Sequence, residues 1–295
     1  MELGVLFAIL TAISHALSGV LVRRGTYKAE ESFTATAISL FVGGILCAIV
    51  LPLSGEWKML ETITWQGFAL LSAGGIVQFN GARYCVYSCN RILGANKSTA
   101  VIRLNALFAV IFGITFLHET VTLLLVLGAL IIMTGATVAN LEWSGEKGFN
   151  LPTKGVLFGL GAAILTAAGG ALIRAANVNI NAPFATTFVS YTTSVLVLVI
   201  IFMFSKQQRN RLFQLPRPSK MILSGVGVVA LVANLFRFAA LSYSPLSVVQ
   251  PIMGTNPLFT FLFSFMINRK IDIFSWRVFT GILLAATGVF LISAS

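Results

Sequence analysis

Residues 4–23 read GVLFAILTAISHALSGVLVR, and residues 155–174 read GVLFGLGAAILTAAGGALIR. The two stretches lie 151 positions apart and are identical at ten of twenty positions, which indicates an internal repeat rather than a merely similar composition. Further matches follow at nearly the same offset: Phe33 and Phe184, Ser39 and Ser190, Asn105 and Asn256, Gly128 and Gly281, Gly135 and Gly288. The sequence therefore predicts two related halves, residues 1–145 and 146–295.

The composition excludes a water-soluble protein. Hydrophobic residues make up 57% of the 295 residues and charged residues only 10%, whereas soluble domains carry about 25% charged residues. So few charges cannot cover the surface of a soluble fold of this size, and we predict an integral membrane protein. The net charge of +11 comes from 20 Lys and Arg against 9 Asp and Glu. Because such residues gather in the cytoplasmic loops of membrane proteins, we interpret the charge as a topology signal and expect no nucleic-acid partner.

Ten apolar stretches have the length of about 20 residues that a membrane-spanning helix needs. They are residues 3–22, 34–53, 65–88, 95–117, 121–141, 155–175, 183–204, 220–242, 246–267 and 273–293. Each half contains five, and because five is odd, the second half must enter the membrane in the opposite direction. The sequence thus predicts an all-α integral membrane fold, with ten transmembrane helices as two inverted five-helix repeats. Inverted repeats are typical of secondary transporters, which bind substrate between the halves and work by alternating access. The two halves would then form one transport domain.

Two segments carry a family resemblance. The stretch Ala100–Glu119 reads AVIRLNALFAVIFGITFLHE, and Pro251–Pro257 reads PIMGTNP. Each is followed by a pair of glycines seven residues apart, which are Gly128 with Gly135 and Gly281 with Gly288. Together with the five-plus-five arrangement, these segments resemble the drug/metabolite transporter superfamily, and within it the EamA-type permeases. The resemblance covers essentially the whole chain and implies fold and transport activity, but it does not specify the substrate.

The chain also departs from the family pattern at three places. Asn105 stands where the family often has proline, Arg269-Lys270 stand where it often has glutamate, and the first span lacks the usual tryptophan. The missing tryptophan argues against a multidrug efflux pump, which is kept as the alternative transport function.

The distribution of Lys and Arg predicts the orientation in the membrane. The loops after the odd-numbered spans, with their flanks, carry fifteen of these residues, whereas the other side carries only Lys58 and Arg174. Basic loops stay in the cytoplasm, so the charges predict that both termini lie outside, whereas the family resemblance implies that both lie inside. In either case we expect a multi-pass protein of the cell (plasma or inner) membrane.

Three arginines, Arg83, Arg103 and Arg237, fall inside predicted spans. A charge at the bilayer centre costs about 2.5–3.5 kcal/mol on insertion scales, so such residues usually face a cavity and mark a substrate path. The alternative is that each side chain extends to the lipid headgroups, because none lies deep in its span. Helical spacing favours the cavity, since Asn80, Arg83, Tyr84 and Tyr87 would share one face, and Asn234 with Arg237 repeat the pattern. With polar residues of neighbouring spans, the predicted substrate-binding set is His15, Asn80, Arg83, Tyr84, Tyr87, Arg103, Tyr191, Asn234, Arg237 and Gln250.

These intramembrane charges predict the chemical class of the substrate. No carboxylate lies in the middle of a span, and export of lipophilic cations normally needs such an acid. The planar guanidinium instead suits a carboxylate or phosphate. We therefore expect a secondary transporter of small anionic or zwitterionic metabolites such as amino acids, with a proton or an exchanged metabolite as the coupling partner. A non-transport membrane scaffold or channel is the alternative from another class. No catalytic constellation is present in the sequence, so we expect no enzyme.

The ninth span contains residues that predict a gate. Pro251 and Pro257 interrupt helical hydrogen bonding, and Gly254 lies between them. We interpret these three as gating residues, with simple helix packing as the alternative. The three cysteines suit neither a disulfide framework nor a metal site, and we expect no metal or other cofactor. The oligomeric state is left open.

Overall fold

The computed structural model describes residues 2–25, 32–93, 98, 101–140, 152–180, 182–256, 258–259, 262–263 and 276–293, and these contain helices but no strands. The α-helices are α1 Glu2–Gly25, α2 Ser32–Ser54, α3 Trp65–Gly75, α4 Arg83–Leu93, α5 Asn105–Leu117, α6 Leu123–Asn140, α7 Thr153–Ile180, α8 Pro183–Phe204, α9 Lys206–Gln214, α10 Arg217–Tyr243, α11 Leu246–Met253 and α12 Trp276–Ser293. A 3₁₀-helix covers Glu56–Thr62, and a π-helix covers Ile76–Ala82 between α3 and α4. The fold is thus all-helical over the described residues.

Four helical segments within the described residues are long and apolar enough to cross a membrane. They are Phe33–Ser54, Thr153–Val178, Pro183–Phe204 and Arg217–Tyr243. Shorter apolar segments lie at Glu2–Ser18, Asn105–Leu117, Leu123–Gly135 and Leu283–Ser293. Large apolar side chains such as Leu53 and Phe204 are exposed on the outer surface, where lipid tails would cover them. These features fit a multi-pass membrane protein.

The fourth and ninth predicted spans are not continuous helices. A turn at Arg103-Leu104 precedes α5, and a turn at Gly254-Thr255 follows α11. The turns lie 151 positions apart and contain equivalent hydrogen bonds, from Leu104 N to Val101 O at 3.2 Å and from Thr255 N to Ile252 O at 3.0 Å. The uninterrupted helix expected over 95–117 is therefore wrong at Arg103-Leu104, whereas the turn at Gly254-Thr255 lies in the span for which Pro251 and Pro257 predicted an interruption. Because α5 packs against α11, the two interrupted helices are neighbours.

Close helix contacts occur at equivalent positions of the two halves. A Cβ atom placed on Gly227 would lie 2.9 Å from the Ser39 carbonyl oxygen, and one placed on Gly75 would lie 2.8 Å from Ser190 Cα. Ser39 and Ser190 are repeat partners, and Gly75 and Gly227 lie 152 positions apart. The packing of α10 on α2 thus matches the packing of α3 on α8, because both need a glycine against the backbone of a serine.

The helices α6 and α12 pack against each other in antiparallel fashion through glycines. A Cβ atom on Gly288 would lie 2.7 Å from the Gly128 carbonyl oxygen, and one on Gly135 would lie 2.9 Å from the Gly281 carbonyl oxygen. Small residues let helix backbones approach closely where no water drives association. Because Gly128 matches Gly281 and Gly135 matches Gly288 in the repeat, the two contacts are equivalent to each other.

Two neighbouring glycines of α10 allow a matched test of this packing. We expect Gly227→Ala to destabilise the protein by about 1–3 kcal/mol, because the new methyl group would overlap the Ser39 backbone. Gly225 has open space around its Cα, so Gly225→Ala should be neutral or stabilise α10 by up to about 1 kcal/mol through helix propensity. Thermal unfolding of both variants in detergent measures the difference. Equal midpoints would mean that α10 does not pack closely on α2.

Candidate functional site

Seven of the predicted substrate-binding residues come from five of the predicted spans and converge on one interior region. We call them the central polar cluster: His15, Asn80, Arg83, Tyr191, Asn234, Arg237 and Gln250. At its centre, the Asn234 side-chain amide donates a hydrogen bond to the Tyr191 hydroxyl at 2.9 Å. The Tyr191 ring packs on Phe79 with 4.7 Å between ring centroids. The cluster therefore contains side chains from both halves of the sequence.

Arg237 is enclosed by protein, with 2% of its surface exposed. Its Nη2 donates a long hydrogen bond of 3.4 Å to Gln250 Oε1, whereas its Nε has no hydrogen-bond partner among the described residues. Gly170 makes room for this side chain, because a Cβ atom there would lie 3.0 Å from Nη2. So complete a burial in protein excludes the alternative that Arg237 extends to the lipid headgroups.

Arg83 and Asn80 flank the same region from the third predicted span. Arg83 Nη1 donates to Ser39 Oγ at 3.1 Å, and the guanidinium lies 5.6 Å from the centre of the Phe79 ring. Asn80 Nδ2 donates to the Ser194 carbonyl at 3.3 Å, while its buried Oδ1 accepts no hydrogen bond from any described residue. The region thus offers an unused acceptor on Asn80 and an unused donor on Arg237.

His15 joins the cluster from α1. Its half-buried imidazole lies within electrostatic range of the guanidinium groups of Arg237 and Arg83. Arg83 also approaches the Tyr191 hydroxyl. The two arginines that the repeat places at matching positions therefore both act on His15, although they belong to different halves.

Tyr84 lies away from the cluster, so its predicted place on a shared face with Asn80 and Arg83 is wrong. It is 50% exposed, and its ring contacts the edge of Phe158 at a centroid distance of 6.2 Å. Arg83 and Tyr84 are consecutive residues at the start of α4, and such neighbours point about 100° apart on a helix, so Arg83 can face the cluster while Tyr84 faces away. The side chain of Tyr87 lies outside the described residues.

Arg103 occupies the helix break of the fourth predicted span. It is 7% exposed, and neither Nη1 nor Nη2 has a hydrogen-bond partner in the described part of the chain. As with Arg237, enclosure by protein excludes extension to the headgroups. No hydrogen bond or ion pair joins Arg103 to the central polar cluster within the described residues.

Two of the three predicted gating residues can be placed. Pro251 is buried within α11, and Gly254 ends that helix, where its N–H donates to the carbonyl oxygens of Gln250 at 3.2 Å and Pro251 at 2.8 Å. Gln250 of the cluster thus lies one helical turn before the break. Pro257 lies outside the described residues.

Glu119 makes contacts that the sequence did not predict. Its carboxylate accepts hydrogen bonds from Leu246 N at 2.7 Å, Ser247 N at 3.0 Å and Ser247 Oγ at 2.7 Å. Its Oε1 also lies 3.8 Å from Arg174 Nε, the only ion pair between described residues. Glu119 therefore caps α11, which belongs to the other half of the sequence.

Local backbone geometry explains how Glu119 reaches α11. His118 ends α5 in the left-handed conformation with a φ of 52°, and Glu119 N donates to Gly113 O at 2.9 Å, as in a Schellman motif. Gly113 leaves space for the carboxylate, because a Cβ atom there would lie 2.6 Å from Glu119 Oε2. Glu56 plays a similar role at α8, where it accepts from Phe184 N at 2.8 Å and Ala185 N at 3.1 Å.

The chain is similar to a protein described as a transporter and to a solved structure. An uncharacterized transporter in the cobO 3' region of Sinorhizobium sp is 30% identical over 133 residues, which are 44% of this chain and 91% of the relative. That relative is therefore about half as long as this chain. A crystal structure described only as that of a protein superposes with a TM-score of 0.77 at 16% identity, over 99% of this chain and 96% of the other. This second likeness concerns the fold alone.

The family assignment rests on matches to nearly the whole chain. The model of the EamA-like transporter family matches residues 2–141 and again residues 153–294. Family and relative point to a membrane transporter rather than an enzyme. The chain belongs to the EamA-like transporter family, a part of the drug/metabolite transporter superfamily.

Proposed function

We propose that this protein is a secondary transporter of small anionic or zwitterionic metabolites, such as amino acids, in the cell membrane. The observation that carries the proposal is the enclosure of Arg237 in the central polar cluster without any carboxylate in contact with it among the described residues. An unpaired buried charge is unfavourable, and a ligand of opposite charge would relieve it. Multidrug efflux is disfavoured, because none of the seven residues of the cluster is a carboxylate that could pair with a lipophilic cation.

The unused polar atoms of the cluster favour a zwitterion. Arg237 Nε is a donor without a partner in the described chain, and Asn80 Oδ1 is an acceptor without one. A carboxylate would accept from the first, and an ammonium group would donate to the second. One small molecule that carries both groups would therefore satisfy both atoms.

The transport mechanism in this proposal is alternating access by ten spans in two inverted five-helix repeats. Equivalent contacts in the two halves support it, as do the antiparallel packing of α6 on α12, the two matches of the family model and the half-length relative. The neighbouring breaks at Arg103-Leu104 and Gly254-Thr255 support it as well, because transporter sites are commonly formed by discontinuous helices. In this scheme Glu119 keeps one end of the substrate path closed, because it joins α5 to α11. Opening of that end would require the carboxylate to release Leu246 and Ser247. Pro251, Gly254 and Pro257 are proposed to form the gate at the second break.

Counterflow in proteoliposomes tests the proposed function. Purified protein is reconstituted, the vesicles are loaded with unlabelled compound, and uptake of the same labelled compound is followed. Amino acids, organic acids and phosphorylated metabolites form the panel. A carrier takes up labelled substrate faster when the far side is loaded, whereas a channel shows no such acceleration and a scaffold shows no uptake. Acceleration by lipophilic cations alone would instead support the efflux function.

A further inference from the structure

We propose that Arg103 binds a carboxylate of the transported metabolite at the helix break of the fourth span, outside the central polar cluster. This proposal rests on the proposed function, because it assumes that an organic anion crosses the protein. It adds a second carboxylate-binding position to the substrate path and assigns that position to one residue.

The hydrogen bonds of the three arginines distinguish Arg103 from the others. Arg83 uses Nη1 for Ser39 Oγ and lies over the Phe79 ring, and Arg237 uses Nη2 for Gln250. Both terminal nitrogens of Arg103 are buried and have no partner in the described residues. Arg103 is thus the one of the three whose terminal nitrogens are both buried without a partner in the described residues, and such a planar pair of N–H groups can bind a carboxylate in bidentate fashion.

The position of Arg103 also favours an anion. Arg103 lies in the turn before α5, whose N-cap residue Leu104 makes no side-chain hydrogen bond to the first helical turn. The amino end of a helix carries a partial positive charge, so it adds to the charge of the neighbouring guanidinium. An anion bound at this break would meet both.

The charge balance selects a carboxylate over a phosphate. A carboxylate carries one negative charge and neutralises one guanidinium, whereas a phosphate dianion would leave a charge without compensation in a site enclosed by protein. The repeat equivalent of Arg103 is Gly254, 151 positions later. The second half therefore has no side chain that could form the same site, and the path is asymmetric in this respect.

Replacement of Arg103 is expected to change the stability of the empty protein in the opposite direction from replacement of a structural arginine. Removal of a buried charge that has no partner should stabilise the empty protein, while removal of a paired charge should destabilise it. We therefore expect Arg103→Gln to unfold at a higher temperature than the wild type when no ligand is present. The same variant should lose at least about tenfold in carboxylate affinity, because the charge-assisted bidentate bond is gone.

Acetate and glycine serve as carboxylate probes, and glycinamide serves as the matched compound without a carboxylate. Thermal unfolding is measured with increasing concentrations of each, and counterflow of labelled glycine is measured in proteoliposomes. The wild type should be stabilised by acetate and glycine but not by glycinamide, and Arg103→Gln should lose the part of this stabilisation that the Arg103 site contributes. Arg103→Lys should keep part of it, because an ammonium retains the charge without the planar fork. Lys154→Gln removes one charge from an exposed residue of α7 and should behave like the wild type.

The possible outcomes separate the two proposals. A lower unfolding temperature of empty Arg103→Gln, or carboxylate-dependent stabilisation equal to that of the wild type, would overturn the Arg103 site and leave the proposed function intact. Failure of both Arg103→Gln and Arg103→Lys to fold would also overturn it, since an unpaired cation should not be required for folding. If no compound of the transport panel shows counterflow in the wild type, the proposed function falls, and the Arg103 site falls with it.

Discussion

Replacement of Arg237 by glutamine is expected to weaken binding of the transported anion by about ten- to a hundredfold. The reason is that a hydrogen bond to a charged group contributes about 1.5–3 kcal/mol, and Arg237 is buried with Nε unused among the described residues. We expect a similar loss for Arg83→Gln, since both guanidinium groups act on His15. Half-saturation of counterflow and equilibrium binding measure the loss. Lysine at either position should restore only part of the affinity, because an ammonium lacks the planar fork.

The control for these variants is a charge removal far from the cluster. Arg217, at the exposed start of α10, is suitable, and Arg217→Gln should keep the wild-type affinity. Unchanged binding in both Arg83→Gln and Arg237→Gln, with each variant folded, would contradict an anion site at the arginines of the cluster. The site would then move toward His15, Tyr191 and Gln250.

Replacement of Glu119 by alanine is expected to cause a large loss of stability, of about 3–5 kcal/mol. The carboxylate is 7% exposed, accepts three hydrogen bonds from Leu246 and Ser247, and lies beside Arg174. Removal of one partner of a buried ion pair leaves the other charge uncompensated, which explains the size of the effect. Thermal or denaturant-induced unfolding in detergent measures it.

Glu56 provides the matched control for Glu119. It also caps a helix, through Phe184 N and Ala185 N, but no ion pair between described residues involves it. Loss of a helix cap costs about 0.5–2 kcal/mol, so Glu56→Ala should be clearly milder than Glu119→Ala. If the two variants lost equal, small amounts of stability, the contact with Arg174 would contribute little. Glu119→Gln should lie between wild type and Glu119→Ala, because an amide oxygen can still accept one of the hydrogen bonds.

The repeat in the sequence was sufficient to identify most of the central polar cluster. Matching Asn80 and Arg83 with Asn234 and Arg237 selected four side chains that converge on one region of the structure. The shared-face argument failed at Tyr84, because the spacing i, i+3, i+4 covers a broad face on which the consecutive residues Arg83 and Tyr84 point about 100° apart. The repeat thus selected side chains that lie together in the structure, whereas helical spacing alone did not distinguish Arg83 from Tyr84.

Two further features depend on tertiary structure and were not predictable from local patterns. The break at Arg103-Leu104 contains neither proline nor glycine, so only its equivalence with Gly254-Thr255 would have indicated it. Glu119 follows the end of α5, but its partners Leu246 and Ser247 lie 127 and 128 positions away. A capping motif is readable from sequence when the acceptor belongs to the same turn. Here the acceptor comes from another helix.

The glycine contact between α6 and α12 has an evolutionary consequence. Gly128 approaches Gly288 and Gly135 approaches Gly281, so the contact is unchanged when the two halves trade places. A chain of one half alone could therefore form it with a second copy of itself, provided that the copies were inserted into the bilayer in opposite directions. The four glycines occupy matching positions of the two halves, so this interface needs no residue that only one half carries. Fusion of two such copies would remove the need to insert one polypeptide in both directions. Each half could then carry different residues at matching positions, as Arg103 and Gly254 illustrate.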